Sequence, residues 1–217
     1  MSVTFQVQQA FNFPSDSYAI VFNTSGNGVT PLPETLNNNY AGYSMAIIVG
    51  GSNGSVTAQA FYYYRPASTA QLPVLYPIGA TPQQLILMPN SNGLGTEFTV
   101  TFSRTLASFN VSGSSPTPTT SATSSSSPSP SPTGSGVGVG TNWNFNLFVV
   151  SGSVVQGESA GALTILDSLG SGGPTDTSYT SPTLDTATPF DITVQVLAGN
   201  HPSIPDALAG GILANQP

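Results

Sequence analysis

Few side chains in this 217-residue sequence can move a proton at neutral pH. The single histidine, His201, stands in Gly199-Asn-His-Pro, a turn sequence, and there is no lysine. A serine nucleophile needs one of these as its base, so an acyl-transfer triad has no partner. Carboxylates are the remaining candidates. Asp176-Thr-Ser and Asp185-Thr-Ala resemble the triplet of aspartic proteases. That chemistry needs two triplets, each held at a strand end, so that one proton is shared. Here the preceding residues, Gly172-Gly-Pro-Thr and Ser181-Pro-Thr-Leu, read as loops. A glycosidase pair such as Glu34 with Glu97 would depend on a separation that sequence does not give. Solvated surface and turn capping account for the acids more simply, and no enzyme is expected.

Cofactor and metal chemistry find no better footing. Cysteine is absent and one histidine makes no cluster, so neither thiolates nor imidazoles can build a metal site. The acids lack the Asp-x-Asp-x-Asp spacing of a calcium loop. The glycines of Gly134–Gly140 lack the lysine and helix of a phosphate loop. No cofactor is expected.

Composition narrows the partners. Charged residues make up 5% of the chain, against about 25% in an average globular protein. Arg65 and Arg104 are the only strong bases, and nine acids bring the net charge to −7. Nucleic-acid binding needs a cationic footprint that displaces counterions, which this chain does not have. No apolar run approaches the roughly 18 residues of a membrane span. The start, Met1-Ser-Val-Thr-Phe-Gln-Val, alternates at once and shows no signal peptide. With 11 Phe and 8 Tyr the chain still has material for a core.

The elements that would position any site are strands. Val3, Phe5 and Val7 alternate with polar neighbours, as do Tyr18, Ile20 and Phe22. The same period marks Tyr43 to Val49, Val56 to Tyr64, Phe98 to Phe102, and Phe109 with Val111. Leu72–Ile78 and Leu85–Met88 carry flanking prolines that suit edge or bent strands. Ser25-Gly-Asn-Gly28, Gly50-Gly-Ser-Asn-Gly54 and Asn90-Ser-Asn-Gly93 supply turns. About eight strands in 1–112 match the size of a β-sandwich or jelly roll. Residues 113–140 are almost wholly Ser, Thr, Pro and Gly and read as an extended linker. In 141–217, Trp143 to Val149, Leu163 with Ile165, and Phe190 to Val196 are strands, and Ile204–Leu213 reads as a short helix. The fold class expected is all-β: two β-sandwich or jelly-roll-like domains, 1–112 and a smaller acidic 141–217, joined by the linker.

Charge is uneven between these parts. Residues 1–112 hold both arginines and three acids, whereas 141–217 hold six acids and no arginine. A chain without lysine gains little positive charge in acid and so largely avoids the cation repulsion that unfolds proteins there. Such a surface suits an acid environment. Three sequons, at Asn23, Asn53 and Asn110, mark candidate glycosylation sites at turns and at the linker junction. Phe61, Tyr62, Tyr63 and Tyr64 place rings on both faces of one strand, the pattern of a subunit interface or a sugar-stacking platform.

The alternating strands from Val3 to Val111, the tether 113–140 and the block from Trp143 to Val196, with no cysteine and almost no charge, form a combination. It resembles the vertex or turret proteins of icosahedral viruses that infect thermoacidophilic archaea. The resemblance covers the whole chain as architecture and composition, without a certifying motif. It implies a structural protein of the virion, at the penton base or turret. It also implies a symmetric homo-oligomer, with a pentamer favoured. Other capsid proteins would be neighbours, and a host-surface glycan or protein would meet the distal domain. The alternative is a secreted or cell-surface carbohydrate-binding or adhesion module, or an S-layer-like protein. Ser/Thr/Pro linkers resemble those of such modules, but the scarcity of tryptophan weighs against it.

Overall fold

A computed structural model describes residues 1–13, 15–24, 43–52, 55–64, 74–89, 95–108, 142–152, 164–169, 183–185, 194–197 and 207–214. The expectations for the linker, Arg65, His201, Glu34, Asn53 and Asn110 lie outside them, as do Phe109 and Val111. Those for Glu158, Asp176, Asp191 and Asp206 lie outside them too. The described chain is an all-β sandwich of twelve antiparallel strands. In chain order these are β1 (Ser2–Val7), β2 (Asp16–Asn23), β3 (Met45–Ser52), β4 (Ser55–Tyr64), β5 (Val74–Ile78) and β6 (Leu85–Pro89). Then come β7 (Glu97–Phe102), β8 (Asn142–Ser151), β9 (Thr164–Ser168), β10 (Thr183–Asp185), β11 (Val194–Leu197) and β12 (Leu208–Ala214). A 3-10 turn, Arg104–Ser108, follows β7 and tucks Leu106 and Ala107 into the core.

The smaller sheet runs β11-β12-β1-β7-β6. The larger runs β10-β8-β2-β3-β4-β5, with β9 also paired to β8. Strands β2 to β5 form a meander, and β8 returns beside β2, so β8-β2-β3-β4 is a Greek key. The core lies between the sheets. Val3, Phe5 and Val7 of β1 and Phe98, Val100 and Phe102 of β7 face Tyr18, Ile20 and Phe22 of β2 and Met45, Ile47 and Val49 of β3. Phe5 stacks on Phe98 at 5.2 Å and meets Tyr18 edge-on at 5.5 Å. Phe11 and Phe13, in the β1–β2 connection, close this cluster against Tyr18 at 4.7 and 5.1 Å. Such ring pairs add about 0.5–1.5 kcal/mol each beyond area burial.

Two expectations are corrected here. The parts on either side of 113–140 are not separate sandwiches. Strand β8 pairs with β2 over Asp16–Asn23, and β12 pairs with β1 over Ser2–Val7. Trp143, Phe145, Leu147, Leu208 and Leu213 share one core with residues of 1–108. The physical reason is completion: β1 and β2 each have an apolar inner face and a second edge that a strand from 141–217 covers. The connectivity also departs from a jelly roll, because four consecutive strands, β2 to β5, stay in one sheet.

The tail is the second correction. Leu208–Ala214 is strand β12, not a helix. Gly210 and Gly211 each cost a helix about 1 kcal/mol relative to alanine. In the sheet they are useful. Gly210 has φ of 147°, a conformation that favours glycine, beside the register shift at Gln6 and Val7. A Cβ on Gly211 would lie 2.5 Å from Leu147 Cδ1 and 2.9 Å from the Thr4 carbonyl oxygen. The sheets approach too closely there for any side chain.

Alternation describes only half of the larger sheet. Every residue of β2 is buried. Ala19, Val21, Ala46, Ile48, Phe61, Phe148 and Val150, with Tyr43 and Ile165, form a second buried cluster on the sheet's far face. One buried carboxylate ties the layers. Asp167 of β9, fully buried, accepts hydrogen bonds from the backbone N–H of Leu208 at 2.9 Å and of Ser168 at 2.9 Å. Asp167→Ala strands those donors in the interior and is expected to cost about 1–3 kcal/mol. A urea titration reads this as a lowered midpoint, and an unchanged midpoint would mean that the carboxylate does not anchor β12.

At the other end of β1, the Met1 amino group donates to the Phe102 carbonyl at 2.9 Å. Burial, and secondarily the Arg104 charge, hold its pKa below the ordinary 8.0.

Candidate functional site

Of the residues singled out for chemistry, Glu97 and Asp185 are described. Glu97 accepts a hydrogen bond from Gln6 Nε2 at 2.8 Å on the outer face of the smaller sheet. Asp185 ends β10, so its triplet does begin on a strand, contrary to the loop reading; the Asp176 triplet lies outside the described residues. Among the described residues there is no group of three or more His, Cys, Asp or Glu side chains that could hold a metal.

The surface candidates change more. Phe61 is fully buried in the second cluster, and Tyr62 is 6% exposed. Within this chain neither of these two rings offers an exposed face. The reason is the double-sided burial of β4, where both ring-bearing faces are covered by this chain. The side chains of Tyr63 and Tyr64 lie outside the described residues. Asn23 ends strand β2 and is 5% exposed, so it is held in the sheet rather than offered at a turn.

Two stretches of the sequence have the Gly-x-Ser-x-Gly spacing of a nucleophile elbow, and the first, Gly50-Gly-Ser-Asn-Gly54, begins in β3, whose next strand β4 is its antiparallel neighbour. The second is Gly157-Glu-Ser-Ala-Gly161. An elbow joins a strand to a helix, whereas this segment lies in the chain between β8 and β9, which are antiparallel neighbours. The segment itself is outside the described residues.

What the structure does assemble is an open margin of the sandwich. β4 and the end of β5 from the larger sheet stand across from β6 of the smaller one. Between them lies a groove of about 570 Å³. Ala58, Ala60, Ile78, Leu85 and Leu87 give it an apolar floor, and Thr57, Gln59 and Thr81 give it neutral polar groups. No titratable side chain lines it. It offers apolar contact and neutral hydrogen bonding, not acid–base chemistry. Leu85 and Leu87 point inward yet are only half-buried, because the sheets part there.

The opposite face of β6 is exposed. Ile86 and Met88 are 42% and 47% accessible, the exposed large hydrophobics among the described residues. Beside them the outer face of the smaller sheet carries Thr99 and Thr101 of β7 and Ser2 and Thr4 of β1, directly opposite one another in register. The Thr4 and Thr99 hydroxyls are hydrogen-bonded at 2.9 Å. Among the described residues β6 is thus an uncharged edge strand with apolar groups on both faces. Sequence showed the apolar run Leu85–Met88, but not that it would end a sheet beside a gap. No family model, curated protein or solved structure matches the chain.

Proposed function

We propose that this chain is a non-enzymatic structural protein of a virion, placed at the capsid vertex as a penton-base or turret component. It assembles through β-sheet contacts into a symmetric homo-oligomer, a pentamer being favoured, beside other capsid proteins, with host attachment through an outward-facing part. The observation that supports it best is the uncharged margin of the sandwich. A rigid two-sheet body that leaves Ile86, Met88 and a half-buried leucine pair at one edge is suited to association rather than turnover.

The alternative, a secreted or cell-surface carbohydrate-binding or adhesion module, draws on the neutral groups of the groove. It needs exposed ring faces for sugars, and Phe61 and Tyr62 do not supply them. The deciding measurement is the native mass of the full chain at pH 3 and pH 7. A closed ring at both, fivefold above all, is the expected result. A monomer at both pH values would overturn the vertex reading and favour the binding module, to be followed by a glycan screen.

A further inference from the structure

Edge strands are normally blunted by charge, proline or a covering element, because their free backbone groups template pairing. β6, Leu-Ile-Leu-Met-Pro, has no charge, and among the described residues it pairs only with β7. Its hydrogen-bonding pattern shows which groups stay free. The Ser103 N–H donates to the Gln84 carbonyl at 2.8 Å, so Gln84 turns its backbone toward β7. By the alternation of an antiparallel ladder Ile86 and Met88 do the same, and Leu85, Leu87 and Pro89 turn theirs outward. Of these three, Pro89 has no N–H, and the Leu85 N–H already donates to the Thr81 carbonyl at 3.2 Å. Leu87 alone keeps both a donor and an acceptor for a new neighbour.

A strand added here is therefore restricted to one register. We infer that the occupant is β6 of a second copy, paired antiparallel about a twofold axis through Leu87, so that two smaller sheets join edge to edge. This goes beyond the assembly reading above: an isologous twofold contact pairs single chains or rings and does not itself close a fivefold ring. In that register Leu87 exchanges both its hydrogen bonds with its own copy. Ile86 stands opposite Met88 of the other copy and Met88 opposite Ile86, both pairs on the exposed outer face. On the inner face the half-buried Leu87 meets itself. The fit is self-complementary at each position, as an isologous contact requires.

Charge complementarity also favours a second copy. The start of β6 lies beside the Arg104 end of β7, and its end lies beside the Glu97 end. Antiparallel pairing sets the Arg104 end of each copy against the Glu97 end of the other. The two β7 strands that lead to them stand about 14 Å apart across three strand spacings. At that distance salt screens most of the attraction, so it orients the pair more than it tightens it. It also keeps two chains of net charge −7 from opposing like charges at the contact.

The contact is short, so self-association is expected in the upper micromolar range and below about 1 mM. Sedimentation of the full chain across that range tests it, beside Ile86→Lys combined with Met88→Lys. Whatever its smallest species, single chain or ring, the wild type is expected to pair with concentration through this contact. The double variant should stay unpaired with an unchanged thermal melt, because both positions are exposed. A second measurement reads the register. The chain has no cysteine, so Ile86→Cys and Met88→Cys can be made singly. Directly opposed residues of a non-hydrogen-bonded pair sit about 4.5 Å apart between Cα atoms, within disulfide reach. A mixture of the two variants should cross-link at least about tenfold faster than either alone.

A wild type that remains unpaired at about 1 mM overturns the inference and leaves the edge to a strand from a different protein. Equal cross-linking of the mixture and the single variants overturns the register. A closed ring that survives the double lysine variant, with no β6-dependent pairing, would leave the vertex reading standing and sink this contact. A β6-dependent dimer without any ring would do the reverse.

Discussion

Residues 1–112 expressed alone are expected to be unfolded, with no cooperative thermal transition by circular dichroism. Without 141–217, the smaller sheet loses β11 and β12, and the larger loses β8, β9 and β10. β1 is then bare along Ser2–Val7, and β2 along Asp16–Asn23. The core residues Phe5, Ile20 and Phe22 would face water where Trp143, Phe145, Leu147, Leu208 and Leu213 now stand. Each buried side chain of this size contributes about 1.5–3 kcal/mol of burial. Losing the five removes about 7.5–15 kcal/mol, comparable to the whole 5–15 kcal/mol of net stability that a domain possesses. Mixing separately produced 1–112 and 141–217 should restore the strand signal, because the pairing lies between them. A sharp melt for 1–112 alone would show that the shared core is not required.

The second large effect is expected at Trp143. It is fully buried in β8, with its ring 5.9 Å from Phe22 of β2. Phe22 in turn lies 5.3 Å from Phe102 of β7, so a continuous line of rings joins the two sheets. Trp143→Ala removes the largest side chain of the core and leaves a cavity that its rigid strand neighbours cannot fill. A loss of about 3–5 kcal/mol is expected, read as a drop in the denaturant midpoint with little change in slope. Trp143→Phe should cost markedly less, since a ring in the line is kept. If both variants melt like the wild type, Trp143 is not packed between the sheets.

These two results bear on how much of the molecule is legible before folding. The sequence by itself determined that the protein is predominantly β. Period-2 runs at Val3–Val7 and Phe98–Phe102 became β1 and β7, since a half-buried strand must alternate, and those at Tyr18–Phe22 and Met45–Val49 became the positions of β2 and β3 that face the main core. It also determined the low charge that shapes the surface. The tail is the exception: Ile204–Leu213 reads as a short helix, whereas Leu208–Ala214 is a strand in which Gly210 and Gly211 suit close packing.

The tertiary structure decided which strands became neighbours. Alternation says which face of a strand is apolar, but not whose face will cover it. The pairing of β8 with β2 and of β12 with β1 joins residues more than a hundred positions apart, across a low-complexity segment that reads as a boundary. For the same reason the second buried face of the larger sheet was hidden. Ala19, Val21, Ala46 and Ile48 look like fillers between core positions until the sheet is covered on both sides. Phe61 and Tyr62 then change from surface rings to interior ones. The candidate site followed the same rule in reverse. Leu85–Met88 read as one more apolar strand. Only its position at the end of a sheet, beside a gap between the layers, makes its backbone and its outward side chains available to a partner. Local pattern fixes what a strand is; long-range pairing, which no short window contains, fixes where it stands and what remains uncovered.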